Sequence, residues 1–253
     1  GGTSTITNAS GALFDIQGNM LLTYLNDNPG TSTHTLTFNN QVGAELRRSV
    51  GTGTLTLGGA APDDVMLFNL NNAGAVNVNT GTVLMARAGT TSSSGTISVA
   101  GGSVLEYASG THTFTGVTVS GAGALKVSGA ALTYAGASST TDLQLTGGTL
   151  TVGTGATVAT TNLALSGGTL AGAGQLSLSG AGSTWSGGAF SGNLRVAPGA
   201  TLTLNGGTKN WRSGAALTNE GTVAWSLGTI DGTTGGGTST ITNASGALFD
   251  IQG

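Results

Sequence analysis

Residues 143–153, LQLTGGTLTVG, are followed twenty positions later by 163–173, LALSGGTLAGA. In both, large apolar residues alternate with polar or small ones: Leu143-Gln144-Leu145 and Leu150-Thr151-Val152, then Leu163-Ala164-Leu165. A period of two sends every second side chain to one side of an extended strand, so Leu and Val point inward and Gln and Thr outward. The Gly pair between the runs is a turn signal. Working outward, LSLSGAGSTWSGG from Leu176 aligns with LRVAPGATLTLNGG from Leu194, an offset of 18 with one length change. Further runs of the same kind are Leu55-Thr56-Leu57 and Leu202-Thr203-Leu204. Toward the N-terminus the spacing widens: Asn8, Asn40 and Asn72 recur at a constant offset of 32, each followed closely by Gly (Gly11, Gly43, Gly74). Asn219 with Gly221 and Asn243 with Gly246 repeat the theme.

Short strands, Gly-rich corners and a period near 20 are the requirements of a β-solenoid, in which each coil buries its apolar side only by stacking on its neighbours. The expected fold is all-β: a right-handed parallel β-helix of about 12 irregular coils of roughly 18–32 residues, a rod of roughly 55–60 Å at about 4.8 Å per coil. Asn at a corner is expected to be structural, tolerating a left-handed backbone and stacking its amides along the rod. Residues 1–253 read as one domain, without a Pro-rich or charged linker. The nearest candidates, Asn26 to Gly30, Thr90 to Gly95 and Asp231 to Gly237, read as short projecting loops.

The ends carry a second repeat. Residues 1–18, GGTSTITNASGALFDIQG, recur letter for letter at 236–253, an offset of 235. The chain therefore reads as one unit of a tandem array that repeats at this offset, with 236–253 beginning the next unit. A locally copied capping segment is the alternative.

Composition narrows the class. Charged residues make up 7% of the chain and the net charge is −3, against about 25% charged in ordinary domains. With 38% hydrophobic residues, this is not the low-hydrophobicity, high-charge balance of disorder. Seven scattered Lys and Arg give no basic stripe, so nucleic acid is not an expected partner. No run reaches the ~18 apolar residues of a membrane helix. The absence of Cys excludes disulfides and thiolate metal sites.

Residues that might carry chemistry are few. Among ten acids only Asp63 and Asp64 are adjacent, after Pro62, where they read as a turn and point to opposite sides. A polysaccharide-active enzyme would need facing carboxylates, so no catalytic residue is expected, and no metal or other cofactor. His34 and His112 alternate with Thr and are expected to face outward. The TxT triplets, such as Thr54-Leu55-Thr56 and Thr149-Leu150-Thr151, follow at irregular intervals and do not predict a single Thr surface. Glu45, Arg47 and Arg48 form the densest charged patch, with Glu45 and Arg47 on one side of a strand. Together with Trp211 they are the candidate contacts for a glycan or protein partner. Trp185, Trp211 and Trp225 are equally suited to filling the core.

The SGGTL, GAGQLSLSG, APGATLTLNGG and LTNEGTV segments of 143–224, with ITNASGALFDI, resemble bacterial right-handed parallel β-helix surface proteins: autotransporter passenger domains and filamentous-haemagglutinin-like adhesins with large tandem repeats. The resemblance is one of rhythm and composition. It implies secretion or cell-surface display in bacteria, and a non-catalytic structural repeat of a long fibre or adhesin stalk. The partners expected are neighbouring repeats stacked end to end, with lateral self-association or a surface glycan besides. An adhesive module recognising carbohydrate or protein through exposed loops is the alternative function, and a polysaccharide-active enzyme the third.

Overall fold

The computed structural model describes residues 2–22, 32–61, 64–232 and 237–252. Among them there is no helix, and thirty strands form one continuous, almost wholly parallel sheet wound into a solenoid. The alternating runs are strands whose Leu and Val face inward: Leu143, Leu145, Leu150, Val152, Leu163 and Leu165 are all buried. Residues 26–30, Asp63 and residues 233–236 lie outside the described residues.

Each coil turns through three faces. On the first face, Thr3–Asn8 pairs with Ser32–Asn40 and that strand with Asp64–Asn72. This ladder then climbs through Thr90–Ser93, Thr111–Phe114, Ala131–Tyr134 and Thr149–Val152. It ends at Ile230–Asp231. The second face runs from Leu13–Gln17 to Thr240–Asn243. The third runs from Leu21–Leu22 to Leu248–Ile251. Strands such as Ala137–Leu145 pass through a corner and serve two faces.

Following the pairings, each face holds eleven strands among the described residues, so the rod has eleven rungs and spans about 48 Å from first to last. That is fewer than the twelve coils expected. The reason is the N-terminal end, where first-face partners are offset by 32 (Asn8↔Asn40↔Asn72). Further along, the offset falls to 18 for Tyr134↔Val152 and 21 for Phe190↔Trp211. The second and third first-face strands are nine residues long, and Gly59–Ala61 folds back antiparallel on Asp64–Met66. The segment Thr90 to Gly95, expected as a loop, instead contains the strand Thr90–Ser93, whose Thr91 and Ser93 face inward and bond to buried polar partners.

The core is a set of columns. Val127, Leu145, Leu165, Trp185 and Leu204 stand above one another on the third face, each at most 1% exposed. Full burial of each such side chain contributes about 1.5–3 kcal/mol. Aromatic groups thicken the core in three places: Phe14–Phe38–Phe68, Tyr107–Phe114–Tyr134 and Trp185–Phe190–Trp211, with centroids 4.9–6.4 Å apart. Corners in the middle of the rod turn where the backbone of one rung closely approaches that of the next. At Gly172 (φ +106°) a Cβ would sit 2.1 Å from the Val152 carbonyl oxygen, so no other residue fits.

Candidate self-association site at the two ends

The two identical segments occupy the two ends of the rod and fold alike. In the first, Asn8 ends a strand, Gly11 turns the corner at φ +77°, the Ala12 amide donates to the Ala9 carbonyl at 2.9 Å, and Leu13–Gln17 begins the next face. In the second, Gly246 turns at φ +82°, Ala247 donates to Ala244 at 3.1 Å, and Leu248–Ile251 follows.

They are hydrogen-bonded on opposite sides. Among the described residues, Thr3–Asn8 and Leu13–Gln17 pair only with the rung that follows them, through Ser32–Asn40 and Glu45–Val50. Within the same described residues, Thr240–Asn243 and Leu248–Ile251 pair only with the rung that precedes them, through Ala216–Asn219 and Thr222–Trp225. What one copy lacks the other copy has. Open parallel edges of this kind are templates for another strand.

Exposed apolar side chains gather at these ends. Leu13 is 50% exposed and Leu21 59% at the start; Leu248 is 54% and Ile251 66% at the finish. Of the ten large exposed hydrophobic residues described, seven lie in the two terminal rungs. An apolar cavity of about 170 Å³ sits at the first end, lined among others by Ile6, Phe14, Ile16, Met20, Leu21 and Phe38.

An amide ladder marks both ends, buried at Asn8, Asn40, Asn72 and Asn219 and exposed at Asn243. Asn8 Nδ2 donates to Asn40 Oδ1 (2.9 Å) and to the Glu45 carbonyl (2.8 Å). Asn40 Nδ2 donates in the same way to Asn72 Oδ1 and the Ala75 carbonyl, both at 2.8 Å, and Asn72 ends the series on Ser93 Oγ at 3.2 Å. At the other end Asn219 Nδ2 donates to Asn243 Oδ1 (2.7 Å) and the Leu248 carbonyl (2.8 Å). Asn243, with no rung above it, turns its own amide onto the Ala247 carbonyl. Each of the other four amides spans two rungs and satisfies a strand carbonyl besides, so the corner is locked by side chains.

The charged patch assembles across rungs on the second face. Asp15 accepts from Arg47 (3.1 Å), Ser49 (2.9 Å) and Gln17 (3.0 Å), and Asn77 from the third rung donates to Glu45 at 2.9 Å. The Arg47 hydrogen bond, followed by that of Gln17, holds the Asp15 carboxyl down at about 2. Glu45 and Arg47 share a side as expected, at 3.7 Å. Glu106–Lys126 and Arg195–Glu220 are likewise pairs between successive rungs.

Two of the four expected contact residues face the interior. Arg48 is 2% exposed, its guanidinium donating to the Thr82, Gly51 and Gly53 carbonyls and to Asn19 Oδ1. Trp211 lies in the aromatic cluster with Trp185 and Phe190. His112, expected outside, is fully buried: Nδ1 accepts from the Thr91 hydroxyl at 2.6 Å and Nε2–H donates to the Ser109 carbonyl at 2.7 Å. Burial pushes its imidazole below the ordinary value, with the Ser109 bond acting the other way. Lys209 is also fully buried, its ammonium donating to the carbonyls of Asn205, Gly207 and Leu227 at 2.7–3.1 Å. Parity was the missed signal: Arg48 is two residues from buried Leu46, His112 two from Phe114, and Lys209 two from Trp211. The TxT triplets divide between faces, Thr149 and Thr151 on the first, Thr54 and Thr56 on the third.

Comparison with protein-family models, curated proteins and solved structures returns no match.

Proposed function

We propose that the chain is a structural repeat of a long extracellular bacterial fibre or adhesin stalk, continued end to end by further copies of itself. The observation that carries this reading is the terminal duplication: one sequence folds the same way at both ends while bonded on opposite sides. Overlaying the copies joins Asn219 to Asn8, Asn40 and Asn72 in one amide ladder. The same overlay covers Phe14 with Val223 and Ile16 with Trp225, the residues that underlie Phe249 and Ile251. Bare apolar edges then become interior rungs, and the hazard of an open end is met by continuation. The extracellular setting rests on the resemblance to bacterial β-helix surface proteins, which a Cys-free, Thr/Gly-rich composition fits. Binding of a glycan through exposed residues is the competing reading, and Arg48 and Trp211 face the core.

Electron microscopy of a two-unit protein, residues 1–235 followed by 1–253, tests it. The expected particle is one unbroken rod of about 100 Å, at about 4.8 Å per rung. Two jointed particles of single-unit length would contradict it.

A further inference from the structure

The two copies of the duplicated segment do not stand on the same faces. Thr3–Asn8 opens the first-face ladder and Leu13–Gln17 the second. Their counterparts Thr240–Asn243 and Leu248–Ile251 close the second- and third-face ladders. The assignment does not depend on one pairing. From Leu13 the second-face ladder passes through Glu45, Ala75, Thr96, Thr118 and Ser139. It goes on through Ala159, Ser177 and Arg195 to Thr218 and Thr242. The amide ladder moves with the segment. Asn8, Asn40 and Asn72 lie at the corner between the first and second faces, Asn219 and Asn243 at the corner between the second and third.

We infer that the docking surface for a second copy of this chain joins the two with a rotation of one face, so that each unit advances ten rungs and a third. This rests on the end-to-end reading above. The following unit's first face continues the preceding unit's second face, its second continues the third, and its third continues the first. Leu21–Leu22 of the following unit then stacks on Ile230–Asp231, which covers the exposed Leu21. Every surface feature steps around the fibre by a third of a turn per unit, in the sense in which the chain itself coils, with an axial rise of about 50 Å. After three units it returns to its starting side. The Asp15–Arg47–Glu45 patch is displayed on all three sides in turn, so no single face of the array is uniform beyond one unit. A partner meeting the fibre from any side finds the same feature.

The test is a three-unit protein carrying one introduced cysteine per unit, which is unique because the chain has none. Gln144→Cys places it on the third face of the sixth rung and Thr133→Cys on the first face of that rung. A maleimide gold cluster is attached and its position around the rod axis read by electron cryo-tomography. The two variants in a single unit calibrate the angle between faces and serve as alternatives should either fold poorly. The expected result is an unbroken three-unit rod with successive labels a third of a turn apart. An unbroken rod with all labels on one side would overturn the rotation and leave end-to-end continuation standing. Separate or jointed particles would overturn the continuation itself and the rotation with it.

Discussion

The first three rungs and the middle of the rod solve the same problem by different means. In the middle, successive rungs are offset by only 18 to 22 along the chain, corners turn on glycine, and Leu and Val columns fill the core. There close backbone approach sets the corner: Gly121 and Gly172 approach the carbonyls of Val99 and Val152, with an added Cβ falling 2.0 and 2.1 Å from their oxygens. In the first rungs the offset lengthens to 32 and the corner is held by buried Asn amides. The Gly121 and Gly172 corners need the close backbone of the rung beneath. An amide corner needs a side chain above and one below, and an Asn without a successor, like Asn243, donates to its own turn. The middle is therefore shaped mainly by close backbone contact, whereas the first rungs rest on amide side chains that reach from rung to rung.

The largest expected effect breaks the middle. Leu145→Ala removes a fully buried column member and is expected to cost about 2–5 kcal/mol, read by chemical denaturation. Ile6→Ala in the half-buried end rung should cost clearly less in the single unit. In a two-unit protein, the same change in the joining rung should approach the cost of Leu145→Ala; an unchanged small cost there would count against continuation.

The corners come next. Gly172→Ala is expected to cost up to about 3 kcal/mol, from strained φ and the Val152 carbonyl together. Gly11→Ala, where nothing lies near the new Cβ, should cost only about 1–2 kcal/mol. Equal costs would deny that close rung-to-rung approach sets the glycine requirement. On the amide side, Asn40→Ala strands the Asn8 amide and the acceptors at Asn72 and Ala75, for about 1–3 kcal/mol. Hydrogen exchange should show the loss confined to the first rungs.

The smallest effect is a pH dependence placed by His112. Its folded-state pKa lies below the unfolded value of about 6.5, so the unfolded chain binds the proton more readily. Stability is complete above about 6.5 and declines as the pH falls below it. The faces packed around the ring present Thr91, Ser109 and Tyr107; burial raises the Tyr107 phenol, which stays neutral throughout this range. His112→Gln should flatten the fall in Tm between pH 7 and 5; an unchanged slope would place the titration elsewhere.

Much of this fold is legible in the sequence, because strand alternation and turn residues are local properties. The runs around Leu143, Leu163 and Leu202 are strands with the expected sides buried. The even spacing of Asn8, Asn40 and Asn72 is one corner repeated. The terminal duplication is visible letter for letter, yet its change of face is not. Which face a strand occupies depends on the summed lengths of all coils before it, and those lengths change along the rod. The buried cations escaped for a different reason. Arg48 and Lys209 occupy inward positions by parity, but only the stacked corners reveal the carbonyls that take the place of water around them.

The most direct measurement is amide hydrogen exchange on the two-unit protein, comparing the joining rung with the same segment at each free end. If the segment is an interior rung of a continuous solenoid, its amides in the junction are protected like those of Leu143–Leu165, while both free copies exchange fast. Exchange in the junction as fast as at the free ends would contradict the account.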